Sequence, residues 1–418
     1  MKHAAWLSAA LFAACAAHDP GAPAAGRSAS AARAPGERPP VVLSEAALRL
    51  HRSALVFDGH NDLPWQVRTK AGSSFDALDI AEPQPELHTD IPRLRRGGLG
   101  AQFWSVFVPA ESAHSGAALR QTLEQIDLVR RMVERYPDVF ELAGTAADVE
   151  RIHRAGRIAS LMGVEGGHSI EGSLAALRML YALGVRYMTL THSDTLEWAD
   201  AATDAPRSGG LSAFGEEVVR EMNRLGMLVD LSHVSVETME DALRVSRAPV
   251  IASHSSCFAL APHPRNVSDP ILRKIAANGG VVMLNFYSGF LVESAAREMA
   301  GAFDARRELR ARFPNEADFE REMNAWRDEH PIESGSVHDL ADHIDHVVAL
   351  AGVDHVGLGS DYDGIATVPR QLEDVSCYPY VTQELLNRGY DERAIGKILG
   401  GNALRVLREA ERVAVSMR

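Results

Sequence analysis

Beyond Ser44, short apolar runs typical of β-strands alternate with longer stretches in which apolar residues recur at helical spacing. This alternation is typical of repeated βα units and predicts a parallel sheet. The apolar runs lie at residues 55–58, 100–108, 158–164, 187–190, 227–231, 250–253, 281–285 and 355–360. Eight such units in one chain predict an α/β fold with a single (β/α)8 TIM barrel.

Amphipathic stretches separate these runs and predict the helices of the barrel. They cover residues 119–136, 173–183, 213–225, 236–245, 269–277 and 337–351. Ser212 is expected to be the N-cap of the third of them, because its hydroxyl can accept a hydrogen bond from a free backbone amide. Residues 293–329 alternate Arg and Glu at helical spacing, which predicts a solvated helical excursion between strands 7 and 8.

The N-terminus has the pattern of a signal peptide, predicted over residues 1–15. One lysine precedes an apolar run at residues 4–14, which is too short to cross a bilayer, and small residues precede Cys15. We expect Cys15 to be the acylated residue of a lipoprotein; cleavage with release and an uncleaved leader are the alternatives. The protein is therefore predicted to be exported, either periplasmic or anchored to a membrane of the bacterial envelope through this lipid alone.

Residues 16–43 are rich in Ala and Pro and poor in large apolar groups, which predicts a disordered linker. Residues 44–418 form the predicted folded domain. The formal net charge is −13, from 43 basic and 56 acidic residues, and it argues against nucleic acid as a partner. Cys257 and Cys377 stand singly, with no spacing that indicates a structural metal or a redox pair.

Side chains that bind metals follow six of the eight predicted strands. In a (β/α)8 barrel the carboxyl ends of all strands meet at one mouth, where active sites are built. A polar residue after one strand is ordinary, because loops are polar, but the recurrence of ligand types at corresponding positions favours a shared site. These residues are His60 and Asp62, Glu165, His192, His233, His254 and Asp361.

The residue types and their spacing predict a site for two zinc ions. His60 and Asp62 are two positions apart and share one face of a strand end. His233 and His254 come from neighbouring strands and could hold a second ion, with Glu165 bridging both. Two such ions can hold a hydroxide and polarise the carbonyl that it attacks.

Three further residues have predicted roles in catalysis or substrate binding. Asp361 is the candidate general base and acid, with Asp363 as its competitor. His192 is expected to donate a hydrogen bond to the developing oxyanion; a third zinc ligand is its alternative role. Arg265 could bind a substrate carboxylate, the alternative being an arginine at the surface or in the region of a helix N-cap.

Taken together, six segments of the chain resemble the renal-type membrane dipeptidases, zinc peptidases of the amidohydrolase superfamily. The segments are VFDGHNDLPW, GVEGGHSIEG, YMTLTHSD, LVDLSHVS, ASHSS followed by HPRN, and HVGLGSDYDG. The resemblance spans nearly everything from Ser44 onward.

The resemblance implies a role for each candidate residue. His60 and Asp62 would bind one zinc, His233 and His254 the other, and Glu165 both. His192 and Arg265 would bind substrate, and Asp361 would move the proton.

The implied substrates are dipeptides, often with a D-residue on the C-terminal side, and in some members carbapenem-like β-lactams. A homodimer is compatible with the resemblance, although the disulfide arrangement of the animal enzymes is not reproduced here.

Two other functions compete with this interpretation. One is another binuclear amidohydrolase, of the lactonase or phosphotriesterase type. Those enzymes generally begin with His-x-His and bridge their metals with a modified lysine, whereas this chain has His60-x-Asp62 and Glu165. The other is a non-catalytic exported binding lipoprotein, which the loss of Asp361 or of a metal ligand would have favoured.

Overall fold

Nine parallel strands organise the structure, a computed structural model that describes residues 38–417 apart from the side chains of Ala300 and Glu316. The strands are β1 (Val56–Asn61), β2 (Leu99–Phe107), β3 (Phe140–Leu142), β4 (Ile158–Glu165), β5 (Val185–Thr189), β6 (Leu228–Asp230), β7 (Ile251–Ala252), β8 (Val281–Leu284) and β9 (Val356–Leu358).

Eight of these strands close into a barrel in the order β1, β2, β4, β5, β6, β7, β8, β9. The closing pairs are β9 with β1 and β2 with β4. Each barrel strand overlaps one of the eight predicted runs, so the predicted (β/α)8 barrel is confirmed. The ninth strand, β3, was not predicted; it is a three-residue strand that pairs with the first half of β4.

Within residues 38–417, seventeen α-helices surround the strands. They are α1 (Glu45–Ser53), α2 (Leu63–Ala71), α3 (Ile91–Arg96), α4 (Ala118–Arg135), α5 (Ala146–Arg154), α6 (Leu174–Ala182), α7 (Ala213–Leu225), α8 (Val236–Val245), α9 (Asp269–Asn278), α10 (Ser288–Leu291), α11 (Glu293–Glu298), α12 (Ala302–Arg312), α13 (Glu316–Glu329), α14 (Val337–Ala351), α15 (Tyr378–Asn387), α16 (Glu392–Gly396) and α17 (Asn402–Ser416).

The six predicted barrel helices are present as α4, α6, α7, α8, α9 and α14. Ser212 caps α7 as expected, since its hydroxyl accepts a hydrogen bond from the Gly215 amide at 3.3 Å. The predicted excursion between the last two barrel strands consists of α11, α12 and α13. None of the helices in the described part of the chain is long and apolar enough to cross a bilayer.

The N-terminal predictions fall mostly beyond the described residues. The predicted signal peptide at residues 1–15, Cys15 included, lies outside them, as does most of the predicted linker. Within residues 38–43, Val41 is buried, and its backbone exchanges two hydrogen bonds of 2.7 Å with the Gln371 side chain. Cys257 and Cys377 are both buried free thiols.

The barrel interior is filled by large side chains from alternate strand positions, among them Phe57, Phe103 and Tyr187. Leu407 and Ala410 of α17 belong to the same buried cluster. Because α17 packs against this interior, the floor of the barrel is a continuous apolar core. The candidate ligand residues lie at the C-terminal ends of the strands, at the mouth.

A glycine in β4 makes room for the largest of these side chains. A Cβ atom at Gly163 would lie 1.9 Å from the ring carbon Cζ of Tyr187, far inside van der Waals contact. The Tyr187 ring therefore occupies the place that a side chain on β4 would take. Its hydroxyl group reaches the mouth, where it contacts His60.

We expect Gly163→Ala to lower the free energy of unfolding by about 1–3 kcal/mol, because the new methyl group must displace a buried ring. Chemical denaturation of the purified chain measures the change. Gly396→Ala is the matched control, since a Cβ at this helical glycine meets nothing within 4 Å. Equal stability of the two variants would contradict the packing argument.

Candidate active site

The structure brings all eight predicted site residues to the mouth of the barrel. His60 lies in β1 and Glu165 ends β4. The others follow β1, β5, β6, β7 and β9, most of them within three residues of the strand end, whereas Arg265 lies farther along the loop after β7. They are Asp62, His192, His233, His254, Arg265 and Asp361.

Glu165 lies at the centre of the cluster and is almost completely buried. One of its oxygens, Oε1, is 3.0 Å from Nε2 of His233, 3.3 Å from Nε2 of His254 and 3.7 Å from Nε2 of His192. The other, Oε2, is 3.5 Å from Nε2 of His60. A single carboxylate thus faces four imidazoles: its Oε2 atom faces His60, and its Oε1 atom faces the other three.

Three overlapping sets of side chains have ligand atoms within 4.8 Å of one another, which is close enough for a shared metal ion. The sets are His60, Glu165 and His254; Glu165, His192 and His233; and His60, Asp62 and Asp361. Glu165 is common to two of them, as a bridging ligand would be. His192 belongs to one set, so its alternative role as a ligand remains compatible with the geometry.

Hydrogen bonds outside the cluster orient two of the imidazoles. The Tyr187 hydroxyl group lies 2.7 Å from Nδ1 of His60 and can donate to the Gly59 carbonyl at 3.3 Å. It therefore accepts the Nδ1 proton of His60, which leaves the Nε2 lone pair directed at the site. Ser253 does the same for His254: its hydroxyl lies 2.8 Å from Nδ1 and donates to Asp230 at 2.6 Å.

The donor set fits divalent cations. Nε2 of His60 and Oδ1 of Asp62 are buried and have no hydrogen-bond partner among the described residues. Nε2 of His233 and Nε2 of His254 face each other at 3.0 Å, close enough for both nitrogens to share a ligand. Neutral imidazole nitrogens with carboxylate oxygens are the ligands that zinc prefers in catalytic sites.

The electrostatics of the pocket also favour positive charge. Burial, together with the neighbouring carboxylates Asp62 and Glu165, holds the pKa of Asp361 well above its usual value. Burial alone would lower the pKa of His60, but Tyr187, Glu165 and Asp62 raise it well above the ordinary value. Both shifts arise because several acidic groups share one desolvated space, which is a setting that a bound cation stabilises.

Two buried carboxylates that support the site were not predicted from the sequence. Asp230 accepts hydrogen bonds from the hydroxyl groups of Thr189 and Ser253 at 2.5 and 2.6 Å. Asp58 accepts from the Ser360 amide and hydroxyl group, both at 2.7 Å. The sequence could have indicated them, because each is a charged residue in an otherwise apolar strand run, and a carboxylate buried there requires hydrogen-bond donors.

The structure separates Asp361 from its competitor. The Asp361 carboxylate accepts a hydrogen bond of 2.8 Å from the Asn285 side chain and belongs to the candidate metal cluster. Both aspartates have a left-handed backbone conformation, with φ of 63° at Asp361 and 66° at Asp363, so the backbone does not distinguish them. Asp363 is turned away and accepts from the His88 amide at 2.7 Å, and burial raises its pKa to about 6.

Arg265 is only 1% exposed, so its alternative role as a surface arginine is wrong. Its guanidinium donates to the Ser255 hydroxyl group at 3.3 Å and to the His254 carbonyl at 3.2 Å. It forms no ion pair with a described carboxylate, although Asp361 and Glu165 partly offset the burial that lowers its pKa to about 10. A buried guanidinium of this kind is suited to an anionic ligand.

His192 lies against the aromatic ring of Phe107, with ring centroids 4.9 Å apart. Burial is the main reason that its pKa falls to about 3, so its imidazole is neutral at physiological pH. A neutral imidazole can donate one hydrogen bond without carrying a charge.

Comparisons with known proteins agree with this geometry. A family model described as membrane dipeptidase, peptidase family M19, matches residues 44–418. The probable dipeptidase PvdM of Pseudomonas aeruginosa has a solved structure that is 27% identical, with a TM-score of 0.76 over 88% of this chain and 98% of that one.

Two other solved structures are each 26% identical, with TM-scores of 0.70. The metallopeptidase dipeptidase AC is similar over 85% of this chain and 98% of its own. A metallopeptidase of Rhodobacter sphaeroides, solved with a phosphinate mimic of the dipeptide L-Ala-D-Ala, is similar over 85% of this chain and 99% of its own. The family match covers nearly the whole described chain, and the candidate metal ligands of this chain converge at one mouth of the barrel. The protein therefore belongs to the membrane dipeptidase family of metallopeptidases, which are hydrolases that act on peptide bonds.

Proposed function

We propose that this protein is a zinc-dependent dipeptidase that hydrolyses the amide bond of dipeptides, including those with a D-residue at the C-terminal position. The observation that supports it most is the buried Glu165 carboxylate, which lies within 3.7 Å of four imidazole nitrogens. Such a cluster is costly to bury without cations, so its presence favours a metal centre over a passive binding pocket.

Two ions would divide the ligands between them. His60 and Asp62, whose nearest atoms are 3.3 Å apart, would hold one, and His233 and His254 would hold the other. Glu165 would bind both, one oxygen to each. The chemistry that two divalent ions supply in such a site is the activation of a water molecule and the polarisation of the scissile carbonyl.

The surrounding residues supply proton transfer and positioning. Asp361 would accept the proton of the attacking water and pass it to the leaving amine, with Asn285 holding its carboxylate in place. His192, as a neutral imidazole, would donate a hydrogen bond to the oxygen that develops negative charge.

Arg265 would bind the α-carboxylate of the substrate, and its position favours dipeptides over longer peptides. Its guanidinium donates to the carbonyl of His254, which is itself a candidate ligand. A carboxylate bound there would lie beside this candidate ligand, which suits a dipeptide, because a single residue separates its scissile bond from the C-terminal carboxylate. The L-Ala-D-Ala mimic bound to the Rhodobacter sphaeroides relative supports an L,D-dipeptide as substrate.

Removal and return of zinc tests the function directly. The chain from about residue 40 onward, stripped with a chelator, should lose hydrolysis of L-Ala-D-Ala and regain it as zinc is added, with saturation near two ions per chain. A folded, zinc-loaded protein that hydrolyses no dipeptide would contradict the proposal. Turnover of lactones or phosphotriesters instead would favour the other binuclear amidohydrolases.

Asp361→Asn should lower kcat by about 10²-fold or more while zinc remains bound, because an amide does not accept the proton. Steady-state kinetics and metal analysis of the same preparation measure both quantities. Asp363→Asn is the matched control two residues away, and it should retain turnover because its carboxylate faces the His88 amide. Full activity of the Asp361 variant would exclude this residue from the mechanism.

Ser253→Ala should weaken zinc binding about 10-fold or more, because Nδ1 of His254 loses the hydroxyl that orients its ring. Competition with a chelating dye measures the affinity without any need for activity. Ser160→Ala removes another buried strand hydroxyl, one that accepts from the Trp104 indole instead, and should leave zinc affinity unchanged. Equal affinities in the two variants would show that Ser253 does not position His254.

A further inference from the structure

Helix α12 of the excursion, residues Ala302–Arg312, lies across the mouth of the barrel. The Phe303 ring lies next to the His263 ring in a tilted arrangement, with ring centroids 5.8 Å apart. Arg307 donates to the Thr203 carbonyl at 2.7 Å, and Nε of Arg310 is 3.7 Å from Glu111. The three contacted residues follow β7, β5 and β2, so α12 spans loops from three sides of the mouth.

Arg306 lies on the same face of α12 as these contacts. Positions 303, 306, 307 and 310 are three or four residues apart and therefore share one side of a helix. Since residues 303, 307 and 310 contact the loops of the mouth, Arg306 faces the space that those loops enclose. Its guanidinium carbon also lies 5.5 Å above the ring of Phe319, a buried residue of α13.

No described carboxylate forms an ion pair with Arg306, although Asp194 lies within its electrostatic reach. Its side chain is half-buried, and within residues 38–417 its guanidinium forms neither a hydrogen bond nor an ion pair. Most of its neighbours on α12 are paired; Arg307, for example, contacts Asp304 as well as Thr203. An arginine held by helix packing and ring stacking, with its donors unpaired, is suited to bind an anion.

The electrostatic influence of Arg306 extends to the candidate site. After burial, which is the largest cause, Arg306 contributes to the low pKa of His192. It counteracts the rise in the pKa of Asp194 that burial and Glu111 produce. Arg306 is therefore within electrostatic reach of the loop that carries His192.

We infer that Arg306 selects substrates, and that the preferred ones are dipeptides with a carboxylate side chain, aspartyl or glutamyl, at one of their two positions. This inference rests on the proposed dipeptidase function. Arg265, beside His254, accounts for the α-carboxylate that every dipeptide carries. Arg306, on the covering helix, is then available for a second carboxylate, which only an acidic side chain supplies.

The experiment compares acidic dipeptides with their neutral isosteres. The probes are L-Ala-D-Asp against L-Ala-D-Asn and L-Asp-D-Ala against L-Asn-D-Ala, assayed with the zinc-loaded protein. For one of the two pairs we expect kcat/KM of the acidic member to exceed that of the amide about tenfold, chiefly through KM, as a charged hydrogen bond would produce. Arg306→Gln should bring this ratio close to one, and Arg306→Glu should reverse it.

Arg312→Gln is the matched control. This arginine is on the same helix but exposed, over the ring of Phe313, and its replacement should preserve the acid-to-amide ratio. A wild-type ratio of one or below for both pairs would overturn the inference, as would a preference that Arg306→Gln leaves intact. Hydrolysis of L-Ala-D-Ala by the wild type in the same assay reports separately on the dipeptidase function.

Discussion

The carboxylate of Glu165 is buried between imidazoles that come from four different strands, and the rest of the site is arranged around it. A lone buried carboxylate is strongly disfavoured, because desolvation penalises its charge. Burial would raise the pKa of Glu165, but His60, His192, His233 and His254 together hold it well below its usual value. The ionised form therefore persists in the pocket, available as a ligand with two oxygens.

That arrangement depends on a second layer of polar groups in the barrel wall. Asp58 and Asp230 are fully buried, and each ties neighbouring strands together through several hydrogen bonds. Asp230 accepts a hydrogen bond from Ser253, whose hydroxyl group also contacts His254, and the Tyr187 hydroxyl group contacts His60 from the barrel interior. The geometry of the site therefore depends on the packing of the barrel core, because the missing side chain at Gly163 leaves room for the Tyr187 ring, whose hydroxyl group reaches the mouth.

The helical excursion between β8 and β9 covers the mouth of the barrel, where the candidate site lies. Its helix α12 contacts loops that follow three strands and presents Arg306 to the space between them. The strand ends can supply metal ligands and a proton carrier. Recognition of the variable part of a substrate depends instead on residues at the rim, where loops differ most between related barrels.

The sequence by itself determined the eight barrel strands, six of the helices between them, the helical excursion, the ligand types at the strand ends and the family. These features are local: strand and helix periodicities, and motifs of a few residues, are visible without knowledge of distant contacts. Only the tertiary structure decided that Asp361 and not Asp363 belongs to the cluster, that Arg265 is buried, and that Asp58 and Asp230 support the imidazoles. It also revealed β3 and the position of α12 over the mouth. Each of these depends on atoms far apart in the chain, whose distances are set when the barrel closes and cannot be read from spacing along the sequence.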